Sequence, residues 1–146
     1  MFRRVLLCCD GSSEGRRALR RGADLAVLVG AEVFVLCIVP DPVISPSVAA
    51  AASGHPCLVD ERLLYQHSLD ESVSHLTSRG VKAKGYLASG NTIKVIVDHA
   101  QRLAVDLIVI GHYPSISGRR WWSGSERVSL AEQVKCCVFI AVSDGG

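Results

Sequence analysis

At 146 residues and 15.6 kDa the chain has the length of one domain, large enough to bury a core without disulfides or a structural metal. Hydrophobic residues make up 49% and charged residues 21%, a composition that excludes disorder, and a formal net charge of +2 is too small to mark a nucleic-acid-binding face. The opening MFRRVLLCCDGS holds only a short apolar run, with no small-residue cleavage site and nothing near the ~20 apolar residues of a membrane span, so a cytoplasmic protein without membrane or nucleic-acid partners is expected.

Apolar runs of strand length alternate with stretches of helical period. Val5 to Cys9 is continuously apolar, which suits a strand covered on both faces. Residues 14–29 then place Leu19, Gly22, Ala23, Ala26 and Val29 on one helical face. Arg16, Arg17, Arg20 and Arg21 form the outer, solvated stripe, and Gly30 ends the helix. Val33 to Val39 repeats the buried-strand pattern. The Pro/Ala-rich stretch over 40–57 holds four of the five prolines and reads as an excursion over a surface.

A second helix carries Tyr65, Leu69, Val73 and Leu76 at helical spacing, and Val81 to Leu87 alternates as a half-exposed edge strand does. Asn91 can cap a third helix with Ile93, Ile96, Val97, Ala100 and Leu103 inward. Asp106 to Ile110 reads as another buried strand, Ser125 to Val134 as a short helix, and Cys137 to Val142 as the last strand.

Alternating β and α elements with apolar inner strands predict one α/β domain over residues 1–146: a Rossmann-like, doubly wound, five-stranded parallel sheet of order 3-2-1-4-5. In that order the first and fourth strands lie together where the winding reverses, and ligands bind beyond their carboxyl ends. The loops meeting there begin with Cys9-Asp10-Gly11-Ser12 and with Gly111.

The segment GHYPSISGRRWWSGS, from Gly111 to Ser125, therefore sits at the crevice. A glycine-rich loop entering a helix N-terminus can bind an anion, because free backbone N–H groups converge there. Arg119 and Arg120 could offset phosphate charge. Ser123-Gly124-Ser125-Glu126 equally fits a capping box that does no more than start a helix, and the spacing alone does not choose between the two. The Walker pattern is absent. No Ser-His-Asp set, carboxylate pair or metal-ligand spacing emerges, so neither catalytic residues nor a metal site is expected. Cys8, Cys9, Cys37 and Cys137 fall in predicted buried strands, Cys136 directly precedes the last of these, and all five read as reduced, apolar thiols.

Taken together, VLLCCDGSS, SGN before the third helix, VDLIVIG, and Gly111-x-x-Pro114-x9-Gly124-Ser125 followed by CCVFIAV resemble the universal stress protein family from residue 3 to residue 142. Nucleotide-binding members carry G-x-x-G-x9-G-[S/T] at this loop. The resemblance implies a regulator without enzymatic turnover that binds ATP, with Mg²⁺, or another adenine nucleotide. It places Cys9 and Asp10 at the ribose and adenine, Ile38 against the base, and Gly111, Gly124 and Ser125 around the phosphates. It also implies a homodimer paired through the last strand, and a partner protein that the sequence does not identify.

Three departures weigh against the phosphate end. Pro114 replaces a glycine and cannot donate an N–H, a loss of roughly 1.5–3 kcal/mol if that donor binds phosphate. Glu126 adds a like charge costing roughly 1–3 kcal/mol at ~5 Å. Arg127, where the family often has Ser or Thr, can offset that charge if it turns inward. The alternative is a dimeric interaction module of the same fold whose phosphate loop has eroded. Trp121 and Trp122 are expected to pack against the fourth helix or a dimer partner.

Overall fold

Continuously apolar segments can be buried only if a sheet is covered on both faces, and the chain solves this with parallel strands and crossover helices. The computed structural model describes residues 1–10, 13–40, 57–112 and 124–142. Its strands are β1 (Arg4–Cys9), β2 (Glu32–Pro40), β3 (Ala83–Gly90), β4 (Leu107–His112) and β5 (Cys137–Val142). The helices among the described residues are α1 (Ser13–Val29), α2 (Cys57–Ser78), α3 (Thr92–Arg102) and α4 (Gly124–Gln133). All neighbouring strands pair in parallel, in the predicted order β3-β2-β1-β4-β5. The 40–57 excursion, apart from its end residues Pro40 and Cys57, lies outside the described residues.

Alternate strand residues feed two cores. Val5, Leu7, Val33, Val35 and Val109 pack beneath α1 and α2, which contribute Leu19, Ala23, Ala26, Leu69 and Leu76. On the other face Leu6, Leu36, Ile108 and Ile110 meet Ile96 and Ala100 of α3 and Leu130 of α4. The inner face expected for α1 is the one buried. Gly22 on that face lets the helix approach β4 so closely that an added Cβ would stand 2.4 Å from Val109 Cγ1.

Two strands, β3 and β4, begin later than expected, each for a local reason. Val81 donates to the Leu76 carbonyl (3.1 Å) and so completes the end of α2, leaving β3 to begin at Ala83. Asp106 precedes β4, and its carboxylate accepts from the backbone N–H groups of Arg3 (2.9 Å) and Arg4 (3.1 Å), stitching β1 to β4 at the sheet's amino end. Asn91 caps α3 as expected, its side chain accepting from the Lys94 N–H at 3.1 Å.

Three of the four crossover helices, α1, α2 and α3, end in the same way. In each, the residue past the C-cap has positive φ, and two backbone bonds close the last turn: Gly30 and Ala31 back to Val27 and Ala26, Gly80 and Val81 to Thr77 and Leu76, Ala104 and Val105 to Gln101 and Ala100. Ala104 holds this left-handed position at φ 50° with a side chain that disfavours it. The left-handed conformation costs a non-glycine residue roughly 1–2 kcal/mol, and glycine's larger unfolded-state entropy returns about 0.5–1 of that. Ala104→Gly is therefore expected to stabilise the fold by about 0.5–1 kcal/mol, read as a higher urea midpoint at unchanged m-value; a lower midpoint would refute it.

On the last strand burial falls short of expectation. β5 is an edge, with Phe139 (39%), Ile140 (42%) and Val142 (49%) exposed. Cys137 is exposed too, and Cys136 is half-buried before the strand begins, contrary to the buried placement expected for both thiols. An edge strand of an otherwise covered sheet has a neighbour on one side only, and apolar sequence does not change that.

Candidate functional site

The winding reverses between β1 and β4. Helices α1 and α2 cover one face of the sheet and α3 and α4 the other, so these two strands send their chains in opposite directions at the carboxyl edge. Their register pairs Cys8 with Ile110, which puts Cys9 and Asp10 beside Gly111 and His112 at the rim. Cys9 also pairs with Cys37 on β2, and Gly111 with Ala141 on β5. Asp10, half-buried, is the first polar side chain beyond β1.

Gly124, Ser125, Glu126 and Arg127 form the first turn of α4, where backbone N–H groups lack intrahelical partners and the dipole favours an anion. Ser125 is exposed, whereas Glu126 and Arg127 are half-buried. Arg127 has turned toward the sheet: its Nη1 donates to His112 Nδ1 at 2.8 Å. Because a guanidinium can only donate, His112 Nδ1 accepts, which leaves any ring proton on Nε2. This bond fastens the first turn of α4 to the last residue of β4. Sequence reasoning did not single out His112; its one signal is that it is the first polar residue after the VDLIVIG run.

The predicted residues fall into two groups. Cys9, Asp10, Gly111, Gly124, Ser125 and Arg127 belong to the carboxyl ends of β1 and β4 and the start of α4. Ile38 is fully buried in the core beneath α3, packed with Leu36 and Ile96. Pro114, Arg119, Arg120, Trp121 and Trp122 lie outside the described residues.

The thiols near the rim are built for packing. A hydrogen bond to Cys9 and then burial push the Cys37 thiol far above its ordinary range, and burial first, then the neighbouring thiols, does the same to Cys8. A thiol held protonated is a poor nucleophile, and these buried side chains pack as apolar members of the two cores. Among the described residues no group of three or more His, Cys, Asp or Glu side chains could hold a metal ion, and no helix is long and apolar enough to cross a membrane.

A model of the universal stress protein family matches residues 1–141. The chain is 25% identical over 142 residues to a universal stress protein of Methanocaldococcus jannaschii, covering 96% of this chain and 82% of the relative. Similar solved structures include UspA of Lactobacillus plantarum, with TM-score 0.75 at 20% identity over 95% of this chain and 97% of that one. A universal stress protein of Archaeoglobus fulgidus in complex with dAMP superposes with TM-score 0.62 at 20% identity, covering 96% and 97% of the two chains. Another universal stress protein, in complex with cAMP, gives TM-score 0.65 at 20% identity and covers 98% of each. Identities this low carry the fold alone, whereas the family match spans nearly the whole sequence: this chain belongs to the universal stress protein family.

Proposed function

We propose that this protein is a regulator that binds ATP or another adenine nucleotide at the carboxyl ends of β1 and β4. The observation that carries this reading is the adjacency of Asp10 to the exit of β4, across the winding reversal, with the Gly111 to Gly124-Ser125 spacing retained. Relatives of the same fold crystallised with cAMP and dAMP support the ligand class. Asp10 takes the ribose and adenine end. The first turn of α4 and Arg127 take the phosphates, and Mg²⁺ accompanies a triphosphate. Binding rather than turnover is the activity in this reading.

Calorimetric titration with ATP and Mg²⁺ tests this, with saturable heat expected. No heat and no thermal shift at millimolar nucleotide would refute it. The second reading, a dimeric interaction module with an eroded phosphate loop, is favoured by Glu126 in the first turn of α4 and by Pro114. Nucleotide that copurifies with the protein would rule it out.

Both readings share a homodimer. The exposed apolar strip of Phe139, Ile140 and Val142 on edge strand β5, with Val128 (59% exposed) on α4, supports strand-to-strand pairing between copies. Light scattering is expected to return a dimer mass, and a monomer at micromolar concentration would refute the pairing.

A further inference from the structure

Helices α1 and α2 both carry the chain from the carboxyl end of one parallel strand to the amino end of the next, so they run side by side in the same direction. Between them lies a cavity of about 430 Å³. This is within the usual range of small-molecule sites, about 300–1,000 Å³. Its floor is apolar: Leu7 of β1, Val35 of β2, Leu19 and Ala23 of α1, and Leu76 of α2. Its mouth is polar, and the order of charges there is informative.

Two ion pairs bridge the helices. Arg16 pairs with Glu71, and Arg79, just past α2, pairs with Asp24 at 2.7 Å. The two bridges are eight positions apart on both helices, about 12 Å at 1.5 Å per residue. The middle rung, one helical turn from each bridge, is formed by Arg20 and His75, and both line the cavity. Neither this guanidinium nor this imidazole has an acidic partner among the described residues. Arg17 adds a further guanidinium to the lining, and Glu71 is its one carboxylate, already paired with Arg16. A ladder with an ion pair at each end and two hydrogen-bond donors in the middle lacks one negative charge.

We propose that this cavity binds an amphipathic organic monoanion, with its carboxylate between Arg20 and His75 and its alkyl or aryl body on the Leu7–Val35–Leu76 floor. The ligand class follows from the two halves of the site. A fully polar anion would leave the floor unused, and a neutral hydrocarbon would leave the middle rung without its counter-charge. The proposal is independent of nucleotide binding at the carboxyl rim.

Sodium decanoate, below its micelle concentration, is the probe, titrated calorimetrically against the full chain with decanol as its uncharged counterpart. Saturable one-to-one binding of decanoate is expected, at least tenfold tighter than decanol. Arg20→Glu should weaken decanoate at least tenfold, and Ala23→Phe should abolish it by filling the cavity. If Ala23→Phe fails to fold, Arg20→Glu carries the test, because Arg20 is exposed and its replacement disturbs no core contact. Absence of saturable binding, equal affinity for decanol, or no effect of Arg20→Glu overturns the proposal. So does cosedimentation with phosphatidylglycerol vesicles in the absence of free decanoate binding, which would assign the arginines to a membrane surface.

Discussion

Asp10→Ala is expected to weaken ATP binding about ten- to a hundredfold, while Glu126→Gln strengthens it. Both changes remove a carboxylate from a site proposed to hold a polyanion, so a purely Coulombic view gives them the same sign. Distance separates them. Asp10 leaves β1 at the ribose end, and a phosphate charge about 10 Å away repels it by only about 0.4 kcal/mol in water and ~1.7 at an effective dielectric of 20. Salt screens most of that, since 10 Å is about one Debye length at 0.1 M. A hydrogen bond to the ionised carboxylate contributes roughly 1.5–3 kcal/mol, so the lost contact outweighs the relieved repulsion. Glu126 stands in the first turn of α4, where the phosphates are proposed to sit, and repulsion dominates there. Adenosine tells the two apart. The Asp10→Ala loss should persist with adenosine, and the Glu126→Gln gain should vanish with it. If both variants shift ATP affinity in the same direction, the proposed orientation of the nucleotide is wrong.

Much of this arrangement is legible in the sequence because burial on both faces leaves a distinctive trace. VLLCC, VFVLCIV and LIVI have no polar alternation, so they belong inside a covered sheet, and their spacing by helical segments makes that sheet parallel. Position at the winding reversal follows from topology and singles out Asp10 and Gly111 before any motif is considered. What stays hidden are relations between elements that no single periodicity contains. The arginine stripe of α1 reads as solvent-facing because its own helix says only that it points away from the sheet. That Arg16 meets Glu71, and that Arg20 shares a cavity mouth with His75, depends on how α2 is turned beside it. The Arg127–His112 bond joins a helix start to a strand end fifteen positions earlier in the chain. Ile38 shows a related limit. Alternation along β2 puts it on the α3 face in the core, and contact with a base would require that face to open at the rim.

The largest stability effect is expected at Gly22, which sets the distance between α1 and β4. In a free helix, replacing this glycine with alanine would stabilise by about 1 kcal/mol. Here the added Cβ would meet Val109 Cγ1 at 2.4 Å, with Val109 Cβ at 3.2 Å and Cγ2 at 3.3 Å. Val109 cannot turn aside, because it is β-branched, fully buried and held in the β1–β4 pairing. Overpacking of this kind costs about 1–3 kcal/mol and occasionally more, so Gly22→Ala should destabilise on balance and Gly22→Leu should lose about 3 kcal/mol or more. That is a large part of the roughly 5–15 kcal/mol available to a domain. Val109→Ala removes both offending methyl groups and leaves a cavity of its own. The double variant Gly22→Ala, Val109→Ala should therefore recover about 1–3 kcal/mol relative to the sum of the single changes in urea denaturation. Strict additivity would mean that the helix has moved and that the close approach does not define its position. The same contact fixes the helix that follows Asp10 against the strand that ends in His112. Gly22→Leu should thus loosen the carboxyl rim as well, weakening ATP in the fraction that still folds, although residue 22 lies more than two helical turns from Asp10 in the chain.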